Sequence, residues 1–332
     1  MHAAVLSQPG PIEGHPLQVA ELADSEPGPE EVAIEVTACA VCRTDLQLAE
    51  GELSLRRAPV VPGHQAVGRV VAVGPHVEGW HVGDRAGVAW LARTCGRCRF
   101  CTRGNENLCE TAQFTGWDRQ GGFSNRIVAV AEFAHHLTSE LEDLELAPLL
   151  CGGVIGYRSL KVAGIRPGGR LGLFGFGASA LLAIQVALHW DCEVYVVTRS
   201  ELERARALEM GATWAGTYEE STPVPLDAAV TFAPVGDVVV SALRSLDRGA
   251  TVAVNAIHLD RIPEFNYDLL WLERQIRSVS NFTRADAREF LQLASDIPIR
   301  TVVEPYPLDR ANEALIGVKH GTVKGTAVLT AL

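Results

Sequence analysis

The first 150 residues carry short apolar or alternating runs that Gly and Pro interrupt. Examples are 31–36 (EVAIEV), 67–74 (VGRVVAVG) and 123–130 (FSNRIVAV). Runs of this length between turn residues are typical of β-strands. The close spacing of the turns favours a compact, barrel-like antiparallel fold for this part of the chain.

The pattern changes near residue 150 to one of alternating strands and helices. Strands are predicted at 170–177, 192–198, 227–233, 250–256 and 276–281, with helices from 178 to about 190 and from 201 to 212. A β-α-β-α rhythm of this kind predicts a parallel, doubly wound sheet.

The last segment, 298–332, returns to short strands on either side of a helix at 308–321. We expect it to fold back onto the first domain. The sequence therefore predicts an α/β protein with a β-barrel domain at 1–150, completed by 297–332, and a nucleotide domain at 151–296.

Composition and charge argue against nucleic acids, membranes and disulfide bonds. The 332 residues carry a formal net charge of −11, which disfavours nucleic acid as a partner. No apolar run is long enough to span a membrane, and the first residues lack a signal-peptide pattern, so we expect a cytoplasmic protein without a membrane partner. In a reducing compartment the eight cysteines favour metal binding over disulfides.

A glycine-rich turn lies where the strand at 170–177 meets the following helix. Gly175, Gly177 and Ala180 form the pattern G-x-G-x-x-A. The glycines allow a tight turn and a close approach of the backbone to a pyrophosphate, while the helix N-terminus supplies amide donors. We predict that Gly175, Gly177, Ala178 and Ser179 contact a dinucleotide cofactor.

The end of the next strand bears on which cofactor binds. Thr198, Arg199 and Ser200 stand where an NAD-preferring site usually has Asp or Glu. Without a carboxylate there, a 2′-phosphate is not repelled, and the guanidinium of Arg199 can pair with it. We predict a preference for NADP(H). The alternative is that Arg199 is an ordinary solvated surface charge and that the cofactor is NAD(H).

Four of the eight cysteines fall within residues 95–109, in the spacing C-x₂-C-x₂-C-x₇-C. An iron–sulfur cluster of the bacterial ferredoxin type would continue as C-x₃-C-P, which this chain does not. Four thiolates on a Gly- and Arg-containing loop suit a tetrahedral zinc ion. A closed shell of Cys95, Cys98, Cys101 and Cys109 leaves no position for substrate, so the predicted site is structural.

A second set of metal-ligand residue types is dispersed along the chain. Cys42, His64 and Cys151 have the composition of a catalytic zinc shell, with one position left open. Spacing alone does not bring them together. Cys39 and Cys192 have the pattern of ordinary buried cysteines.

Six motifs in order resemble those of the zinc-dependent medium-chain alcohol dehydrogenases. They are CAVCRTDLQ (39–47), PVVPGHQAVGRVVAVG (59–74), VGDRAGVAWL (82–91), CGRCRFCTRGNENLC (95–109), GGFSNRIV (121–128) and APLLCGGVIGY (147–157). The resemblance covers essentially the whole chain. It implies a GroES-like catalytic domain, a Rossmann cofactor domain, an active site between them, and a homodimer or homotetramer.

The resemblance also implies roles for individual residues. Cys42, His64 and Cys151 match the catalytic zinc ligands, and the four clustered cysteines match the structural set, giving two Zn²⁺ per chain. Thr44 matches the hydroxyl that binds the substrate oxygen, and Asp45 matches the carboxylate that orients the ligand His. Further matches are Arg43 and Lys324 to pyrophosphate contacts, and Trp90 and Trp117 to the substrate pocket.

Two positions depart from the family pattern. Gln65 stands where the family usually has a Glu directly after the ligand His. That Glu can approach the zinc in some members of the family, and the neutral Gln65 puts such a step in doubt here. Gln47 stands where many relatives have a proton-relaying His. Because Gln does not titrate, we expect a weaker or shifted pH dependence near neutrality.

The predicted activity is reversible hydride transfer between a primary alcohol and the cofactor. The two tryptophans favour medium-chain, allylic or aromatic alcohols and aldehydes over polyols. One alternative is a zinc-independent reductase of C=C or quinone bonds with the same fold. Another is an NADP(H)-binding sensor that has lost catalysis.

Overall fold

A computed structural model of the chain describes residues 1–256 and 258–330. Its internal contacts divide the chain into two compact units. The first unit combines Met1–Cys151 with the chain from Phe282 onward, and the second is Gly152–Asn281. The second unit is therefore an insertion within the first.

The elements are numbered in chain order. The strands are β1 (His2–Leu6), β2 (Leu17–Glu21), β3 (Glu31–Ala40), β4 (Ala66–Val73), β5 (Arg85–Val88), β6 (Leu91–Arg93), β7 (Gln113–Phe114), β8 (Arg126–Val130), β9 (Ala134–His136), β10 (Arg170–Phe174), β11 (Glu193–Val197), β12 (Trp214–Gly216), β13 (Leu226–Thr231), β14 (Leu246–Val254), β15 (Gln275–Ser278), β16 (Val303–Pro307) and β17 (Thr326–Thr330). The α-helices are α1 (Arg43–Glu50), α2 (Asp143–Leu146), α3 (Gly152–Ala163), α4 (Ala178–His189), α5 (Glu201–Glu209), α6 (Gly236–Ser245), α7 (Arg284–Asp296) and α8 (Ala311–His320). Short 3₁₀ helices lie at Ile12–Gly14, Cys101–Arg103, Glu106–Leu108, Ala131–Phe133, Ala147–Leu150, Tyr267–Leu269 and Leu308–Arg310. Over the described ranges, no helix has the length and apolar character needed to cross a membrane.

The first unit is built on a seven-stranded sheet in which β3 is central. The order is β16-β17-β3-β4-β5-β9, and β8 also pairs with β3. All pairs are antiparallel except β16 with β17. The inner positions of β3 are apolar and buried, as the sequence pattern predicted.

The register of β3 and β4 brings two distant segments of the chain together. Cys39 lies opposite Ala66 in this antiparallel pair. The strands therefore leave the sheet side by side, with Cys42 just beyond one and His64 just before the other.

The return to the first unit comes earlier in the chain than residue 297. Helix α7 belongs with the first unit rather than with the nucleotide domain. Ala287, Phe290, Leu291 and Ala294 of this helix are buried, and ion pairs tie its first turn to the unit: Arg284 Nη2 lies 2.7 Å from Glu106 Oε2, and Arg284 Nη1 lies 3.0 Å from Glu132 Oε2. At the other boundary, Cys151 also falls within the first unit.

The second unit is a six-stranded parallel sheet in the order β12-β11-β10-β13-β14-β15. From β10 the chain adds β11 and β12 on one side of the sheet. It then crosses back and adds β13, β14 and β15 on the other side. Crossovers of this kind create a switch point at the carboxyl ends of β10 and β13, where nucleotides bind in doubly wound sheets. The predicted parallel, doubly wound sheet is confirmed.

The ion pair of Arg284 generates a stability prediction. Burial alone would raise the pKa of Glu106, but the hydrogen bonds and charge of Arg284 outweigh it and lower that pKa. Arg284→Met would leave an ionised, largely buried carboxylate without its partner. We expect a loss of about 1–3 kcal/mol in the free energy of unfolding, between the values for exposed and buried pairs.

Denaturant unfolding of the protein measures this loss. Arg310→Met is the matched control, because Arg310 and Glu313 form a pair whose side chains are both about half exposed. It should change the free energy of unfolding by less than about 1 kcal/mol. Equal losses in the two variants would contradict the anchoring role of Arg284.

Candidate active site

The dispersed residues Cys42, His64 and Cys151 come together in the first unit. Their ligand atoms all lie within 4.8 Å of one another. Cys42 Sγ is 3.3 Å from His64 Nε2, and the His64 side chain is almost completely buried. The structure thus assembles the three side chains that the sequence separates by 22 and 87 positions along the chain.

Cys42 is held at the start of α1. It is the N-cap residue of that helix, and its Sγ accepts a hydrogen bond from Thr44 N at 3.3 Å. The backbone N–H of Cys42 donates to Asp45 Oδ2 at 2.9 Å, which closes a capping box. The helix N-terminus stabilises negative charge on the sulfur.

His64 is positioned by the turn before it and by Asp45. Gly63 has a φ of +92°, and a Cβ there would lie 2.4 Å from the ring of Phe123. Only glycine satisfies both conditions at this position. His64 Nδ1 donates to Asp45 Oδ1 at 3.0 Å, which leaves Nε2 facing the two sulfurs.

The ionisation of these groups suits a bound cation. A hydrogen bond between the two thiols lowers the pKa of Cys42 and raises that of Cys151. Burial acts against a charged His64, but the charges of Asp45 and Cys42 outweigh it and raise its pKa. The site therefore favours one thiolate in a buried pocket.

Zinc fits this donor set. Two sulfurs and one imidazole nitrogen are its usual ligands in catalytic sites. A tetrahedral ion with bonds of about 2.0–2.3 Å places its ligand atoms roughly 3.5 Å apart, close to the separation of Cys42 Sγ and His64 Nε2. With three protein ligands, the fourth position stays open for substrate.

The four clustered cysteines also converge. Their Sγ atoms lie within 4.8 Å of one another, with Cys98 to Cys101 at 3.5 Å and Cys95 to Cys101 at 3.9 Å. These distances exceed a disulfide bond of about 2 Å, and all eight cysteines are free. Backbone N–H groups of Arg97 and Cys98 lower the pKa of Cys95 to about 6. The arrangement suits a closed Cys₄ zinc site.

The glycine-rich turn of the second unit has the predicted form. Gly175 has a φ of +89°, and a Cβ at Gly177 would meet only open space. Gly177 is the N-cap of the 12-residue helix α4, and no side chain caps its amides. Uncapped amides beside open space fit the pyrophosphate of a dinucleotide, and Ala178 and Ser179 carry two of them.

The structure corrects the description of the strand end at Thr198. We expected no carboxylate there, but Thr198 Oγ1 donates to Glu203 Oε2 at 2.5 Å. The reason is local: Ser200 caps α5 and brings Glu203, in its first turn, back toward the strand. Arg204 Nη1 also donates to Thr198 O, at 2.9 Å, while Arg199 is exposed.

The two other predicted cofactor contacts lie in the first unit. Arg43 is the first residue of α1 and is exposed. Lys324 lies in the turn before β17, where its backbone N–H donates to Glu304 Oε2 at 2.9 Å. Their roles toward a nucleotide stay predictions.

An aromatic wall lies against His64. The Trp90 ring meets the imidazole edge-on with centroids 4.8 Å apart. Trp90 also stacks with Phe114 at 5.1 Å and with Trp117 at 6.0 Å. The sequence identified the two tryptophans, but it gave no signal for Phe114, whose ring lies 5.1 Å from that of Trp90 and 5.9 Å from that of Trp117.

Arg56 covers the outer end of this wall. Its guanidinium carbon lies 3.6 Å from the Trp117 ring centroid, and Nη1 is 3.2 Å from Asp118 Oδ2. Trp117 Nε1 donates to Ser54 O at 2.8 Å, which fixes the ring. The wall is therefore an ordered surface rather than a set of free side chains.

The two departures from the family pattern have clear positions. Gln65 is buried, and its Nε2 donates to Ala40 O at 3.2 Å. A carboxylate could not make that bond, so Gln65 is committed to the backbone. Gln47 lies half-buried on α1.

Comparisons with known proteins agree with this architecture. Residues 28–139 match the family model of the alcohol dehydrogenase GroES-like domain. Residues 178–296 match that of the zinc-binding dehydrogenases. The chain therefore belongs to the zinc-type medium-chain dehydrogenase family, which confirms the predicted GroES-like and Rossmann-type folds.

Individual relatives cover nearly the whole chain. It is 48% identical to the probable alcohol dehydrogenase AdhA of Mycobacterium tuberculosis, over 99% of this chain and 97% of that protein. A cobalt- and zinc-bound thermostable alcohol dehydrogenase of Pyrobaculum aerophilum matches with a TM-score of 0.89 and 26% identity, over 99% of each chain. A cinnamyl alcohol dehydrogenase of Sorghum bicolor matches with a TM-score of 0.88 and 25% identity, over 99% of this chain and 97% of that one.

The hydrogen bonds of Asp45 generate a prediction about metal affinity. Asp45→Asn keeps one acceptor oxygen but places an NH₂ group against an N–H donor. We expect zinc affinity at the Cys42–His64–Cys151 site to fall by about 10–100-fold. Competition with a chelator measures the affinity, and Asp84→Asn, which alters an exposed turn, is the control. Unchanged affinity in Asp45→Asn would contradict the orienting role.

A second prediction separates the two metal sites. Wild-type protein should contain about two zinc ions per chain, and Cys42→Ser and Cys98→Ser about one each. Cys42→Ser should lower kcat/KM on the order of a thousandfold or more while the fold remains. Cys98→Ser should lower the free energy of unfolding by at least about 2 kcal/mol.

Metal analysis, steady-state kinetics and thermal unfolding read out these differences. A Cys98→Ser variant that is fully stable yet inactive would show that the division between structural and catalytic sites is wrong.

Proposed function

We propose that this protein is a zinc-dependent alcohol dehydrogenase and aldehyde reductase. The observation that carries the proposal is the convergence of Cys42, His64 and Cys151, with Asp45 on the outer nitrogen of the imidazole. It is the ligand arrangement of a catalytic zinc with one open position. The relative from Pyrobaculum aerophilum, which is described as zinc-bound, supports the metal.

Cys42, His64 and Cys151 would hold a Zn²⁺ that would supply Lewis-acid chemistry at the substrate oxygen, and a bound nicotinamide cofactor would supply the hydride chemistry. The chain contributes position and proton handling. Thr44 is 8% exposed and its backbone N–H donates to Cys42 Sγ, which supports the role we propose for its hydroxyl, to hold the proton of the substrate alcohol.

Asp45 contributes order at the ligand shell. It is 2% exposed and accepts hydrogen bonds from three donors, so the imidazole cannot rotate without breaking one of them. Fixed ligands require little reorganisation when substrate binds. The half-buried Gln47 does not titrate, so it would not relay a proton between Thr44 and solvent as a histidine would.

The substrate class follows from the aromatic wall. Trp90, Phe114 and Trp117 present a stacked surface beside His64. Flat apolar surfaces of this kind favour aromatic, allylic or medium-chain primary alcohols and aldehydes over polyols. The similarity to a cinnamyl alcohol dehydrogenase supports the same class.

The competing functions make different predictions for the metal and for turnover. A zinc-independent reductase of C=C or quinone bonds would need only the Cys₄ site, so it would hold about one zinc per chain. A sensor would bind NADP(H) without converting any member of a broad panel of alcohols and aldehydes. The converged three-ligand shell favours the dehydrogenase over both.

We propose NADP(H) as the preferred cofactor, with Arg199 as the residue that pairs with the 2′-phosphate. The exposed guanidinium of Arg199 and the nearby Arg204 support this preference. Glu203 opposes it less than a free carboxylate would, because Thr198 holds one of its oxygens.

A comparison of NADPH and NADH across a panel of aldehydes tests the proposal. We expect kcat/KM to be higher with NADPH. Arg199→Gln should lower kcat/KM for NADPH about tenfold or more and leave that for NADH within about twofold. Arg244→Gln, a change of an exposed arginine at the end of α6, is the control. A wild-type preference for NADH would overturn the proposal.

A further inference from the structure

The first unit contains a cavity of about 1010 Å³ that is separate from the residues of the candidate active site. Its wall includes the segment around Trp80, strand β9, helix α7 and the start of the Cys₄ loop at Cys95. Neither the three catalytic metal ligands nor the aromatic wall contributes to it. The volume is at the upper end of the range for small-molecule sites.

Helix α7 presents one polar face to the cavity. Arg284, Arg288 and Gln292 all line it, and their spacing of four residues places them on one side of the helix. A capping box between Thr283 and Asp286 fixes the first turn of this helix. The arginines are therefore carried by an ordered element.

The two arginines differ in their partners. Arg284 is committed to Glu106 and Glu132, and its guanidinium lies 4.5 Å from the centroid of the Phe133 ring. Arg288 makes no hydrogen bond or ion pair within the described parts of the chain and is exposed. Its positive charge is therefore available to a ligand.

His135 supplies a second unpaired group. It lies on β9 opposite Gly87 and is 6% exposed, yet its ring makes no hydrogen bond to any residue in the described ranges. Burial and the charges of Arg288 and Arg284 lower the pKa of His135 to about 4. At neutral pH it is an uncharged imidazole, lining the same cavity as a free guanidinium.

A pair of stacked rings forms another part of the wall, with His136 as its exposed member because Trp80 is only 7% exposed. The rings of Trp80 and His136 stack with centroids 3.6 Å apart and planes 12° apart. Trp80 Nε1 donates to Ala131 O at 3.2 Å, which fixes the indole. Val77 and Leu291 add aliphatic surface to the cavity. An aromatic or planar apolar group fits such a wall.

Four carboxylates and three guanidinium groups line the cavity, so a multiply charged anion is disfavoured more than a singly charged one. Glu30 pairs with Arg93 at 3.7 Å and Glu132 with Arg284, while Glu78 and Glu289 also line the wall. These carboxylates repel a dianion such as phosphate more than a monoanion. Arg288 offers one bidentate partner, which matches one carboxylate.

We propose that this cavity binds a small aromatic monocarboxylate, with its carboxylate on Arg288 and His135 and its ring against the Trp80–His136 stack. The site is distinct from the alcohol site and does not depend on the function proposed above.

Calorimetric titration of the zinc-loaded, full-length protein with benzoate tests the proposal. We expect benzoate to bind more tightly than acetate, which lacks the ring, and more tightly than inorganic phosphate, which carries more charge. Arg288→Gln should weaken benzoate binding about tenfold or more. Arg248→Gln, the same change at an exposed arginine of β14, should leave it within about twofold.

Proton uptake provides an independent readout. A bound carboxylate raises the pKa of His135 from its low value, so affinity should increase as the pH falls from about 8 to about 6. His135→Gln should remove that part of the pH dependence. Other titratable or charged groups also line the cavity, and their contributions to the pH dependence of binding remain in the variant. They are Glu30, His76, Glu78, Arg93, Cys95, Glu132, His136, Arg284, Arg288 and Glu289.

Three outcomes would overturn the proposal. The first is equal benzoate affinity in wild type and Arg288→Gln, which would place benzoate at the catalytic metal instead. The second is tighter binding of phosphate than of benzoate. The third is a change of oligomeric state in Arg288→Gln by light scattering, which would make this face a contact between copies. Thermal unfolding should show that Arg288→Gln is nearly as stable as wild type, since Arg288 loses no hydrogen bond or ion pair within the described residues and interacts with Glu106 only at longer range.

Discussion

One buried carboxylate organises the metal centre. Asp45 accepts hydrogen bonds from the backbone of Cys42, the backbone of Gly63 and the ring of His64. These donors come from two segments that leave neighbouring strands, so a single side chain sets the start of α1, the turn at Gly63 and the orientation of the imidazole. Because each bond is shielded from water, loss of any one leaves a buried polar group unsatisfied.

The two predicted metal sites show that close spacing of cysteines in the sequence does not mark the catalytic site. In the proposed zinc site of the Cys₄ loop, protein sulfur would occupy every tetrahedral position, so that site would only stabilise the chain around it. The three dispersed ligands leave a position open, and their pocket is buried and bordered by stacked aromatic rings. The glycine-rich turn at Gly175 and Gly177 adds an uncapped helix terminus of the kind that binds pyrophosphate. Each feature is explained by elementary coordination and hydrogen-bond chemistry.

Much of this could be predicted from the sequence, because the relevant signals are local. The spacing of Cys95 to Cys109, the turn at Gly175 and the β-α rhythm each lie within a short window. Residues that act through tertiary contacts gave no such signal. Phe114 joins the aromatic wall only because of the fold around β7, and Glu203 reaches Thr198 only because Ser200 begins α5 where it does. The place of α7 in the first unit depends on a pairing between Arg284 and Glu106, 178 positions apart, which no periodicity reveals.

The insertion of one unit within the other has a consequence for how the protein is made on the ribosome. Cys42, His64 and Cys151 are all synthesised before the second unit begins. Strand β17, however, follows the second unit in the chain and pairs with β3 directly before Cys42, with Val41 N donating to Ala327 O at 2.9 Å. The sheet that carries these three side chains is thus completed by residues that are synthesised only after the whole second unit. A nascent chain that has not yet reached β17 would carry Cys42, His64 and Cys151 beside a sheet that still lacks β16 and β17.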